Sequence, residues 1–238
     1  MAETCICKDC NGGKSLCARN VSIFASLTDK ELKDIVSTAI RREYIKGETI
    51  CREGETLDNL LLIRDGKIKV SKVTKDGKEQ ILHILATGDF LGEANLFNDE
   101  ASRFTVTAIT NVKICIISKE NLEEILLKNP RIALKIIKEI SKKLSETEDL
   151  AKVLATRDVE SRVASMLVEF SVKYGKEIDN ETLIQLPINR EDMANYCGVT
   201  RETISRKLSK FESEKIITVQ GNKVIIVTNL EKLRGLSE

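Results

Sequence analysis

The spacing of apolar positions changes along this chain, and each change predicts a different kind of element. From Arg42 to about Ile117 the pattern is short and alternating. Lys67, Ile68, Lys69 and Val70 give one wet and one buried face, and Gly47, Gly54, Gly66, Gly77 and Gly88 fall at strand-plus-turn spacing. The pairs Asp65-Gly66 and Asp76-Gly77 carry hairpin-turn chemistry, so a small antiparallel barrel or jelly roll is predicted. A helix precedes it: Thr28 suits the N-cap, and Leu32, Ile35, Val36 and Ala39 share an apolar face. From about Asn121 the period becomes helical. Between Arg131 and Asp158, the residues Ile137, Ile140, Leu144, Thr147, Ala151 and Leu154 recur at alternating spacings of three and four, the seam of a two-helix coiled coil. Such a helix has little to pack against in its own domain, so its twin in a homodimer is the expected partner; packing against the barrel is the alternative. Thr147 and Ala151 bury little, and Glu146, Glu148 and Asp149 add like charge, so the middle of the seam is weak and its register adjustable. The helical pattern restarts from Val159 to Tyr174.

Two short helices are predicted between Asn189 and Phe211. Asn189 caps the first through Tyr196, with Asp192 at the reciprocal position; Cys197-Gly198-Val199 makes the turn, and Thr200 caps the second. Ile204, Leu208 and Phe211 form a buried stripe, which leaves Arg201, Glu202, Ser205 and Arg206 together on another side. An Arg fork reads a guanine edge, a Glu accepts from cytosine N4, and a Ser hydroxyl permits close approach, so this helix suits a major groove. The plainer alternative is a solvated face with ordinary charges. Ile216 to Val219 and Lys223 to Val227 then flank Gln220-Gly221-Asn222 as a hairpin, completing a winged helix-turn-helix.

The fold class is therefore α+β: an N-terminal antiparallel β-roll or jelly-roll sensor domain, a long dimerisation helix and a C-terminal winged helix-turn-helix. The expected boundaries are 1–20 for a cysteine-rich segment, 21–128 for the roll, 129–158 for the helix and 159–238 for the DNA-binding domain. A formal net charge of +1 excludes an argument for DNA from bulk charge, but Arg201, Arg206, Lys207 and Lys210 outnumber Glu202 and Glu212 on the second helix. No apolar run approaches a membrane span and the polar start lacks a signal sequence, so a cytoplasmic protein with no membrane partner is expected.

Seven cysteines in such a chain point to thiols, metal ligands or redox groups rather than a disulfide framework. Cys5, Cys7, Cys10 and Cys17 crowd an opening stretch too polar to build a core. Cys7-x2-Cys10 followed by Cys17 is a soft-ligand cluster suited to zinc or iron-sulfur. If Cys5 supplies the fourth ligand the site is local; if a distant cysteine does, the metal ties the segment to the folded body. Cys51 and Cys197 read as buried small hydrophobes. His83, the single histidine, reads as a packed strand residue rather than a haem ligand.

The order of roll, long helix and winged helix-turn-helix resembles the CRP/FNR superfamily of bacterial transcription regulators. Thr200 to Arg206, the stretch from Asp158, and Gly92-Glu93 with Arg103 carry the likeness. Resemblance to the oxygen-sensing FNR branch implies a 4Fe-4S cluster on Cys7, Cys10, Cys17 and Cys115, with Cys5 a possible substitute, responding to oxygen or nitric oxide. The gap from Cys10 to Cys17 is one residue longer than the usual pattern. Cys115 falls at the strand end where that branch has its fourth ligand. Resemblance to the cAMP-receptor branch implies, as the alternative, a cluster-free regulator gated by a cyclic nucleotide or other small molecule in the roll, with Glu93, Arg103 and Thr147 holding the ligand. Against this, Phe104 and Glu148 stand where that branch has serines, and an internal Glu93–Arg103 ion pair is the plainer reading. On DNA, Glu202, Ser205 and Arg206 resemble the readout of TTGAT-like half-sites in a palindrome, while Arg201 matches the other branch. A homodimeric activator that touches RNA polymerase is implied. Thr147 replaces the acid that keeps the cluster-free FNR protein monomeric, so a dimer without cluster is expected. No dinucleotide fingerprint or second cysteine cluster supports an enzyme.

Overall fold

A computed structural model describes residues 21–24, 27–56, 58–93, 101–155, 158–179 and 181–237. Cys5, Cys7, Cys10 and Cys17 lie outside the described residues. The chain divides into two compact units: one runs to Lys72 and resumes from His83 to Ser145, and the other takes Val73–Leu82 and everything from Glu146.

In the first unit, α1 (Asp29–Thr38) starts at Thr28. The Thr28 backbone N–H donates to Glu31 Oε2 at 2.7 Å and the Glu31 N–H donates back to Thr28 Oγ1 at 3.4 Å, a reciprocal cap. The roll follows as β1 (Ile40–Tyr44), β2 (Thr49–Cys51), β3 (Asn59–Asp65), β4 (Lys67–Val73), β5 (Glu79–Ala86), β6 (Phe90–Leu91), β7 (Thr105–Ala108) and β8 (Val112–Ser118). These form two sheets, ordered β1-β8-β3-β6 and β2-β7-β4-β5. Asp76-Gly77 is a hairpin turn between neighbours, closed by the Thr74 N–H donating to Lys78 O at 2.8 Å. Asp65-Gly66 is not. Both edges of β3 are taken, by β8 and β6, so β4 passes into the other sheet and Gly66 turns a corner. Its φ of +92° and the Asn111 carbonyl, 2.3 Å from where a Cβ would lie, allow only glycine there.

Strand alternation gives the roll two apolar layers on opposite faces of one sheet. Leu60 and Leu62 of β3, with Cys115 and Ile117 of β8, join Val21, Phe24, Leu32 and Ile35 in one cluster. Leu61 and Ile63, with Val112 and Ile114, join Ile68, Val70 and Val106 in the other. Two helices complete the first layer: α2 (Lys119–Lys128), capped by Ser118, buries Leu122, and α3 (Pro130–Ala155) buries Ile132 and Ile136. The long helix thus has a packing surface in its own unit, a correction to the sequence expectation, and Ile140 packs there rather than on an open seam. The opposite stripe is exposed: Leu134 at 68%, Ile137 at 57% and Leu144 at 59%. Thr147 and Ala151 are exposed as well.

From Val159 the second unit continues as α4 (Val159–Tyr174), the range that the restarted pattern predicts, and Asp158 caps it. Then come β9 (Gly175–Ile178), β10 (Glu181–Gln185), α5 (Arg190–Cys197), α6 (Arg201–Ser213), β11 (Ile217–Gln220), β12 (Val224–Val227) and α7 (Leu230–Gly235). The sheet order β11-β12-β10-β9 makes the wing four-stranded, wider than the single predicted hairpin. Val163, Leu167, Phe170, Ile184, Met193, Ile204, Leu208, Phe211 and Ile225 are buried between helices and wing.

Candidate nucleic-acid interface and sensor cysteine

Capping fixes the angle between the two short helices. Asn189 Oδ1 accepts from the Asp192 N–H at 2.9 Å to start α5, and Gly198, left-handed at φ 64°, ends it. Thr200 Oγ1 accepts from the Thr203 N–H at 3.3 Å and starts α6 two residues later. Ile204, Leu208 and Phe211 anchor α6 to the core, so Arg201, Glu202, Ser205 and Arg206 all stand exposed on its outer side. Glu202 is held below the ordinary carboxylate range by a hydrogen bond from its own backbone N–H, then by Thr200.

Polar contacts tie both α5 and α6 to α4. The sequence counts Lys207 and Lys210 with Arg201 and Arg206 as a local basic patch; in the structure both lysines pair with Glu160 of α4. Lys207 Nζ donates to Glu160 Oε2 at 2.7 Å, and Lys210 Nζ donates to Glu160 Oε1 at 2.7 Å and Oε2 at 2.6 Å. Arg162 donates to the Cys197 carbonyl at 3.1 Å, and the Tyr196 hydroxyl donates to Glu169 at 2.5 Å. Cys197 is buried as expected, and burial pushes its thiol up to about 12.

Cys115 is also buried, but it occupies the middle of β8 rather than a strand end, paired in register with Arg41 of β1 and Leu62 of β3. It faces the apolar cluster that also contains Val21, Ile23 and Phe24, the first described residues after the cysteine-rich segment. Cys51 is buried in the other layer, and His83 is half-buried on β5.

The second candidate pocket is arranged differently from the sequence alternatives. Gly92, at φ +102°, brings the chain so close to Asn59 that a Cβ would lie 2.2 Å from its carbonyl, and this delivers Glu93 into the interior at 5% exposure. The partner of Glu93 is Lys143 of α3, whose Nζ donates to Oε1 at 2.7 Å and to the Phe90 carbonyl at 2.9 Å. The ammonium also lies 4.7 Å from the Phe90 ring centroid, within cation–π range. The carboxylate thus pairs through Oε1 with Lys143 rather than with Arg103, which is exposed, and Glu93 Oε2 is buried without a hydrogen-bond partner among the described residues. Phe104 packs on the inter-sheet layer, and the Ser102 hydroxyl donates to the Phe104 carbonyl at 2.8 Å. Sequence reading missed Lys143 because the seam pattern assigns its helix to a partner chain.

A β-roll and a winged helix-turn-helix presenting a solvent-facing recognition helix define a DNA-binding regulator with a sensor-type roll. Residues 41–129 match the family model described as a cyclic nucleotide-binding domain, and residues 161–236 match the Crp-like helix-turn-helix domain. Electron transport regulator A of Shewanella oneidensis is 30% identical over 226 residues, covering 94% of this chain and 88% of that protein. The fumarate and nitrate reduction regulatory protein of Vibrio cholerae is 29% identical over 235 residues, covering 98% and 91%. A CRP-like cAMP-activated global transcriptional regulator of Mycobacterium tuberculosis is 27% identical over 205 residues, covering 86% and 88%. The chain belongs to the CRP/FNR superfamily of transcription regulators, a family of DNA-binding proteins and not of enzymes. Among the described residues, no helix is long and apolar enough to cross a membrane.

Proposed function

We propose that this regulator is an oxygen or nitric oxide sensor of the FNR type, with a 4Fe-4S cluster on Cys7, Cys10, Cys17 and Cys115. The observation that carries the reading is the direction of Cys115. Of the two faces available to a β8 residue, it takes the one covered by Val21 to Phe24. Cys17 precedes Val21 by four residues, a reach of at most about 14 Å. A thiolate on that face is thus compatible with ligands from the opening segment, whereas one on the inter-sheet face would not be. Thiolate-bound clusters are sensitive to oxidants, which supplies the sensing chemistry. Cys5 is the substitute ligand should the longer spacing before Cys17 exclude one of the three.

The output side of the reading is cytoplasmic DNA binding as a homodimer through the exposed stripe Leu134, Ile137 and Leu144, on palindromes with TTGAT-like half-sites, as an activator in contact with RNA polymerase. Arg206 reads guanine, Glu202 the cytosine side of the adjacent step and Ser205 a neighbouring base; Arg201 sets the outer position. The rival reading is a cyclic nucleotide held by Glu93, Arg103 and Thr147. Lys143 holds only Oε1 of Glu93, and Oε2 is buried without a hydrogen-bond partner among the described residues. The rival is disfavoured instead by Phe104, a ring packed on the inter-sheet layer where the cAMP-receptor branch has a serine for the phosphate.

Anaerobic purification with iron and acid-labile sulfide assay tests the reading. About four of each per subunit, a visible band that bleaches in air, and loss of both in Cys115→Ala are expected. Absence of iron after anaerobic reconstitution, with saturable cyclic-nucleotide binding, would overturn it in favour of the rival.

A further inference from the structure

Glu160 stands outside the exposed base-facing side of α6, yet it holds two of that helix's cations. It occupies the first turn of α4, where the helix N-terminus favours a carboxylate, and its side chain is only 13% exposed. Both of its oxygens are engaged: Oε2 by Lys207 at 2.7 Å and Lys210 at 2.6 Å, Oε1 by Lys210 at 2.7 Å. Lys207 and Lys210 fall on the flank of α6 between its buried stripe and Arg206. An exposed lysine on that flank would neutralise a phosphate of any sequence and release a counterion. Bound to Glu160, with Lys210 also 3.7 Å from Glu214 Oε1, the two ammonium groups are instead neutralised in part within the protein, and Arg201 and Arg206 have no ion pair among the described residues.

We propose that Glu160 sets the sequence discrimination of the recognition helix by withholding Lys207 and Lys210 from the DNA backbone, so that sequence-independent affinity stays low while base readout is untouched. Glu160 is a positioning residue in this role, since it acts through the lysines. The inference rests on the reading of α6 as the helix that enters the major groove.

The test is fluorescence anisotropy of the full-length protein, prepared in its DNA-binding form, on a TTGAT-type palindrome and on a mixed-sequence duplex of equal length, across 50–200 mM salt. In Glu160→Gln, the slope of log affinity against log salt on mixed-sequence DNA is expected to steepen by about two per engaged subunit. That is roughly tenfold more affinity lost across the salt range, with tighter mixed-sequence binding at the low-salt end and a lower ratio of palindrome to mixed-sequence affinity. Lys207→Gln/Lys210→Gln is expected to keep the wild-type slope, and the triple variant to return to it. An unchanged slope in Glu160→Gln while wild-type protein binds the palindrome overturns the proposal alone. A reduced slope in the double lysine variant does the same, because the lysines would already be on phosphate. Wild-type protein that binds neither duplex, or binds both equally and keeps that behaviour in Arg206→Ala, overturns the reading of α6 and the proposal with it.

Discussion

Glu93 and Lys143 meet across fifty positions of sequence, and the pair is mostly dry, with side-chain exposures of 7% and 21%. Removing one member leaves the other as an uncompensated charge. Lys143→Met is expected to cost about 2 kcal/mol, less than a fully buried pair because the lysine keeps some water, read as a lower urea midpoint for the roll. Glu160 gives a pH-dependent prediction. Hydrogen bonds from Lys207, and then Lys210, hold its carboxyl below the ordinary 4.5. A depressed folded-state value means that the stabilisation is full above pH 4.5 and lost as pH falls through the lowered value. The melting temperature of wild type should exceed that of Glu160→Gln at pH 7, by the equivalent of about 1–2 kcal/mol, and the gap should close on acidification below pH 4.5. A gap that stays constant to pH 3 would show that the glutamate acts through packing. Cys197, with its thiol pushed to about 12 by burial, should resist iodoacetamide at pH 8 until the protein is unfolded.

Elements whose signals are local were legible in the chain. Asn189, Gly198 and Thr200 act within a turn of the helix ends they define, so α5 and α6 follow from sequence with their caps and buried stripe. Elements decided by distant partners were not. A Gly after Asp looks alike at a hairpin and at a sheet corner, and only the occupation of both edges of β3 tells them apart. The β9–β10 pair escaped because the strands are short and the connection passes through Asp179 at φ 48°, which carries no glycine signal. The candidate site divides the same way. The exposure of Arg201, Glu202, Ser205 and Arg206 follows from helical period, whereas the captures of Lys143 by Glu93 and of Lys207 and Lys210 by Glu160 depend on packing between elements. Phe211→Ala, which empties the anchor of α6, is expected to cost about 3–5 kcal/mol and to abolish DNA binding at 37 °C. Retention of full affinity would show that α6 is held from elsewhere.

For the whole molecule, the two faces of α3 have different fates. Ile132 and Ile136 are satisfied inside the roll, while Leu134, Ile137 and Leu144 are left exposed among the described residues. Ile137→Glu with Leu144→Glu should give a monomer by light scattering, with a folded roll and loss of palindrome binding. Thr147, exposed on the same helix, adds no charge to that stripe, so cluster-free protein is expected to remain dimeric; a clean monomer would refute this.

The position of β8 also sets a schedule. β1 and β3 are neighbours of β8 and not of each other, with Ile40 opposite Ile116 and Leu62 opposite Cys115. During synthesis neither strand can complete its sheet until the chain has been made past Ser118, and the strand that closes the sheet is the one that carries Cys115. At about 5–20 residues per second, Cys17 is made roughly 5–20 s before its proposed co-ligand. Assembly of a cluster spanning the two is therefore a late event, and a ribosome-bound chain stopped before β8 should take up no oxidant-labile iron.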